Sequence, residues 1–267
     1  MTGTTSTEPA PPAPTLARRS IRAEVWLVFA LSLGASGIRA ALDIIRDLTT
    51  TKVPLKAQVT VLNGSQAQQS WLDLTLQLMS IATAMVPVFL VMYFLSIAGD
   101  SLRTLGMDWS RPAADAIRGA ALAALIGGSG LALYLVAQAH GGNLIVVPEN
   151  LPAVWWRIPV LLLSAIQNAV VEEVLVAGYL LHQLKKLGWG DYRALLVSAL
   201  VRGSYHLYQG IGAFVGNFVM GLIFGRMYQR FGRTAPLVIA HALIDAVAFI
   251  GYIALAGHVS WLPVPGR

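Results

Sequence analysis

The chain has 267 residues, of which 56% are hydrophobic and only 12% charged. A soluble domain carries about 25% charged residues, so the composition excludes an ordinary water-soluble enzyme and describes an all-α, polytopic transmembrane helical bundle. There is no cysteine, which removes disulfide frameworks and cysteine-ligated metals; the net charge of +6 sits mostly in short loops, where membrane topology explains it and no nucleic-acid partner is expected.

Residues 1–20 are expected to form a disordered tail, because Met1–Leu16 is rich in Thr, Pro and Ala and lacks a core pattern. Arg18, Arg19 and Arg22 then precede an apolar run from Val25. Ala35–Gly37 is a weak small-residue exit site for a cleaved signal peptide, so this run reads as a retained first span. Seven spans are predicted: Val25–Leu42, Trp71–Ala98, Asp115–Gln138, Ile158–Leu184, Ala194–Gly212, Ala213–Tyr228 and Ala235–Ala256. An eighth is allowed if Val53–Leu62 dips into the bilayer. Pro87 marks a kink in the second span. Residues 21–150 would be amino-terminal transmembrane helices, 151–257 a transmembrane region carrying the chemistry, and 258–267 a tail.

Loop charges orient this arrangement. With a cytoplasmic amino terminus, eleven basic residues fall inside, from Arg18 to Arg233, and five fall outside: Arg46, Lys52, Lys56, Arg157 and Arg267. The bias predicts a plasma-membrane protein with its amino terminus cytoplasmic and its carboxyl terminus outside, and seven spans fit that parity. Gly212 with Gly216, and Gly221 with Gly225, form two small-xxx-small pairs that favour close helix packing.

The informative stretch is Asn168–Gly178, where Glu172 and Glu173 stand together in an apolar run from Ile158 to Leu181. Two carboxylates at a bilayer centre cost roughly 5–7 kcal/mol. The Ile, Leu and Val residues of the run return roughly 4–8 kcal/mol, so the segment breaks even at best and the glutamates need partners. Later spans offer Arg202 and His206, then His241 and Asp245, each pair four residues apart and therefore on one helix face. All are predicted to lie within about one helical turn of the same depth. The remaining histidines, His140, His182 and His258, fall at span ends or in loops.

A buried glutamate is a suitable general base for water, and imidazoles facing it can stabilise an oxyanion or hold a metal. Together these groups suit peptide-bond hydrolysis inside the bilayer. Neither a Gly-x-Ser-x-Gly elbow nor a His-Glu-x-x-His run is present.

Glu172-Glu173-Val-Leu-Val-Ala177, Arg202-Gly-Ser-Tyr-His206 and His241-Ala-Leu-Ile-Asp245 resemble the motifs of the CPBP family of CAAX proteases and bacteriocin-processing enzymes, also called the abortive-infection family. The family pattern is Glu-Glu-x-x-x-Arg, Phe-x-x-x-His and His-x-x-x-Asn or Asp on successive hydrophobic helices. The resemblance covers roughly Val154–Ala256. It implies an intramembrane endopeptidase acting on a membrane-associated protein or peptide. By position, Glu172 would activate water, beside Glu173, while His206, His241 and Asp245 would stabilise the oxyanion or hold a divalent metal such as zinc. Glu172, His206, His241 and Asp245 are the candidate ligands; an ionised Asp245 favours a metal, since a carboxylate donates poorly to an oxyanion.

Two positions depart from the pattern: Ala177 stands where the arginine belongs, and Arg202 where phenylalanine does. Arg202 is therefore expected to reach across and pair with Glu173. Two other readings remain open at the sequence level. One is a non-catalytic immunity or regulatory protein of the same fold, and the other is an ion-coupled transporter, which the lack of repeated halves disfavours.

Overall fold

The computed structural model describes residues 15–50, 52–260 and 262. Most of the tail expected at residues 1–20, and most of the 258–267 tail, lies outside these residues. Helix α1 (Thr15–Ala30) begins inside the stretch read as tail and meets α2 (Leu33–Thr49) at a 48° bend. A strand β1 (Val59–Asn63) precedes α3 (Ser70–Ala84) and α4 (Val86–Ile97). The break at Met85 follows from Pro87 at the second position of α4, whose ring cannot supply an amide or clear the preceding turn. Next come α5 (Pro112–Ala139) and strand β2 (Ile145–Glu149).

The centre of the molecule is a continuous helical rod over Arg157–Lys186. It consists of α6 (Arg157–Glu172), a π-helical stretch (Glu173–Leu180) and α7 (Leu181–Lys186). Of its apolar window 67% is buried, against no more than 33% in the other four long helices. Around it stand α8 (Asp191–Ser204), α9 (Ile211–Phe231) and α10 (Ala235–Leu255). The main core includes Val174, Leu175, Tyr179, Phe224 and Leu237, and a smaller one joins Trp156, Leu161 and Phe249. Outer faces such as Ile117, Leu125 and Val136 of α5 stay exposed, as suits helices solvated by acyl chains.

The architecture is the expected helical bundle, and not every expected span is matched by a helix of spanning length. Among the described residues five helices are long and apolar enough to cross, or six if the bent α1–α2 pair counts as one. The expected fifth span, Ala194–Gly212, is not a continuous helix. Helix α8 has 14 residues, roughly 21 Å, which falls short of a bilayer core of about 30 Å. A 3₁₀ turn over Leu207–Gln209 and Gly210, at φ +118°, reverse the chain into α9. A side chain at Gly210 would also strike the Asn143 backbone, so only glycine fits there. The parity argument for an outside carboxyl terminus therefore does not carry over. The Val53–Leu62 segment is not an eighth span: it contributes a 3₁₀ turn (Leu55–Ala57) and β1, which pairs in parallel with β2.

The glycine pairs act in helix packing. A Cβ at Gly221 would stand 2.9 Å from the Ala199 Cα, and one at Gly225 2.6 Å from Leu195 Cδ1, so this face of α9 lies directly on α8. Gly216 on the other pair faces Leu133 of α5.

Candidate functional site

Glu172 ends α6 and Glu173 opens the π-helical stretch. A π turn adds one residue per turn and frees backbone carbonyls. Ser198 of α8 donates its hydroxyl to one of them, the Val176 carbonyl, at 3.0 Å. The adjacent carboxylates diverge into two environments. Glu172 lines two cavities, whereas Glu173 is fully buried behind it and lines neither.

Arg202, near the end of α8, is buried between them. Its Nη1 lies 2.7 Å from Glu173 Oε1, and its Nη2 3.4 Å from Glu172 Oε2. The guanidinium also packs 5.3 Å from the centre of the Phe224 ring. The anticipated cross-helix pair is thus present, and Gly221 permits it, since a Cβ there would lie 3.2 Å from Arg202 Cδ. Ala177, at the family's arginine position, is buried in the main core.

His241 on α10 places Nδ1 2.7 Å from Glu173 Oε1 and 3.3 Å from Arg202 Nη2. One nitrogen cannot donate to the carboxylate and accept from the guanidinium at once. The shorter, charge-assisted contact decides, so Nδ1 is assigned the proton it donates to Glu173. The His241 Nε2 is then directed to the other side, 3.7 Å from Asp245 Oδ1. Asp245 also accepts from the Asn168 amide at 3.4 Å.

His206 lies beyond the end of α8, in the turn before α9, so it does not share a helical face with Arg202 as its spacing suggested. The turn nevertheless brings its Nε2 within 3.6 Å of Glu172 Oε2. Gln209 approaches its Nδ1 at 3.4 Å; a donated amide hydrogen there leaves the ring proton on Nε2, which is buried without a hydrogen-bond partner. Tyr205 donates to Glu172 Oε2 at 2.8 Å.

Tyr205 and Asn168 were given no role in the sequence reading, although both were visible as polar groups in apolar stretches, one beside His206 and the other one turn before Glu172.

The larger cavity has a volume of about 1330 Å³ and is lined by Glu172, His206, His241 and Asp245 together with apolar faces of α5 and α10. The smaller, about 460 Å³, lies between the α1–α2 bend and the α3–α4 break and also reaches Glu172.

Glu172, Glu173 and His241 offer ligand atoms within 4.8 Å of one another, the only such group among the described residues. Arg202 contacts all three, so a guanidinium already compensates the charge of this group. His206 and Asp245 are not drawn with Glu172 and His241 to a common point of that size.

Residues 154–247 match the model of a family described as type II CAAX prenyl endopeptidase Rce1-like. No curated protein and no solved structure matches the chain.

Proposed function

From the membership of residues 154–247 in the Rce1-like, CPBP family of membrane proteases, we propose that this integral membrane protein is an endopeptidase that hydrolyses a peptide bond of a membrane-associated substrate with Glu172 as general base. The observation that carries this reading is a cavity-facing carboxylate with an unpaired, buried imidazole nitrogen 3.6 Å away. Glu172 Oε2 is engaged by Tyr205 and Arg202, which leaves Oε1 to take a proton from water. The hydroxide so formed adds to the scissile carbonyl carbon. Nε2–H of His206 donates to the resulting oxyanion, and His241, acting as an imidazolium with Nδ1–H held by Glu173, donates its Nε2–H to the same oxygen from α10. Collapse breaks the C–N bond, and Glu172 returns its proton to the leaving amine, which gives a free acid and a free amine.

In this scheme Glu173 and Arg202 are positioning residues rather than catalytic ones, and Asp245 orients the far side of His241. No step runs through a metal. The access of a membrane substrate from the bilayer is supported by the apolar walls of the larger cavity. Glu172→Gln is expected to lower cleavage of a membrane-bound peptide by at least about 100-fold with expression unchanged. Undiminished cleavage by that variant would remove Glu172 from the mechanism.

A further inference from the structure

The small β1–β2 sheet has two unequal edges. On β2 the outward groups are already engaged: the Val146 amide donates to the Tyr134 hydroxyl at 3.1 Å, Pro148 has no amide hydrogen, and its carbonyl accepts from the Asn63 side chain at 2.9 Å. On β1 the register settles which groups point outward. The Ile145 amide donates to the Gln58 carbonyl, and Val59 stands opposite Ile145. Alternation along a parallel pair then directs Thr60 and Leu62 toward β2, and Val59 and Val61 away from it. Among the described residues, the backbone amides and carbonyls of Val59 and Val61 meet no partner, and both residues are exposed. The strand continues through Leu62, Asn63 and Gly64 into the wall of the larger cavity, the same cavity that Glu172 and His241 line.

A peptide bond inside a helix cannot be hydrolysed as it stands, because its carbonyl is wrapped in the i to i+4 ladder. Unwinding it near a bilayer leaves amides and carbonyls unsatisfied, at several kcal/mol each. An open strand edge that runs into the cavity relieves this penalty. We propose that the free edge of β1 takes an extended segment of the peptide substrate as a third strand, pairing with Val59 and Val61, and so leads the unwound chain toward Glu172. This rests on the peptidase reading of the site, but pairing and hydrolysis are separable.

The test uses the full-length chain carrying Glu172→Gln in detergent, and a labelled probe, acetyl-Val-Thr-Val-Thr-Val-Leu-amide, with a copy N-methylated at alternate residues. The plain peptide is expected to bind at least about tenfold more tightly than its methylated copy, which cannot complete the ladder. In the same background Val61→Pro, which removes an outward amide and leaves the β2 pairing residues intact, is expected to abolish that preference. Equal binding of the two peptides, or a preference that survives Val61→Pro, overturns the proposal. Should Val61→Pro not fold, hydrogen exchange decides: the Val59 and Val61 amides slow on adding the plain peptide while Thr60 does not change, and exchange unaffected by peptide overturns it. A dimer joined through β1, not displaced by peptide, overturns it in favour of a second copy of the chain. No arm reads cleavage, so a failure of Glu172 as the base would leave this result standing on its own.

Discussion

Arg202 neutralises a site that otherwise carries two adjacent carboxylates in an apolar rod. Its contacts with Glu172, Glu173 and His241 mean that removing it leaves a buried charge unanswered, whereas removing both members of a pair does not. Arg202→Met is expected to destabilise the protein by about 3–5 kcal/mol. Adding Glu173→Gln should restore a substantial part of the loss, so the two changes are non-additive in a double-mutant cycle of unfolding in detergent. Additive effects would mean that the 2.7 Å contact carries no coupling. Lysine should rescue Arg202 poorly, since a single ammonium cannot span three partners as the guanidinium fork does.

Helices α8 and α9 are held at backbone contact, and this spacing sets where Arg202 and the His206 turn stand. Gly221→Ala places a methyl 2.9 Å from the Ala199 Cα, where only helix separation can relieve it. The expected cost is about 1–3 kcal/mol, together with a fall in peptidase activity. Gly225→Ala meets only side-chain ends, those of Leu195 and Leu181, and should be milder by both activity and thermal unfolding; the reverse order would detach the site from this packing.

Much of this element-level logic was legible in the sequence. Glycines four residues apart and Pro87 act through local rules, while the pairing of Arg202 with Glu173 was suggested by the motif resemblance, with alanine at 177 and arginine at 202. The π-helical stretch was not legible, because an apolar run such as Val174–Leu181 satisfies an α and a π register equally; the difference lies in a carbonyl met by Ser198 from another helix. The end of α8 was missed for a related reason, since hydropathy continues through Tyr205 and Leu207 while the backbone turns. Strands β1 and β2 are 82 residues apart, between Asn63 and Ile145, and each is too short to announce itself. Nor does spacing separate the two glutamates, whose unequal roles come from what α8 and α10 place around each.

Across the whole molecule, the loop before α5 is clasped to the turn between α9 and α10. Arg233 binds Asp115 at 2.6 Å and Asp108 at 3.1 Å. Asp108 lies outside the spans, and hydrogen bonds from Ser110, followed by those from Arg233, hold its carboxyl well below the usual carboxylate range. A carboxyl depressed in the folded state stabilises fully above its unfolded pKa, near 4, and that contribution fades as pH falls toward the folded value. Thermal unfolding followed from pH 7 to pH 3 should therefore show an acid-side loss that Asp108→Asn reduces, with the variant already less stable at pH 7. An unchanged acid profile would show that the clasp does not depend on this ionisation.

The placement of Arg202 on α8, rather than one turn along from Glu173, also bears on biosynthesis. The rod leaves the ribosome ahead of α8 and its counter-cation, and its apolar residues roughly balance, without exceeding, the penalty of its two acids. Its settled integration must then await the arrival of α8, with the two segments partitioning together as a hairpin. Until the carboxyl-terminal third of the chain is made, there is no assembled centre to act on neighbouring proteins.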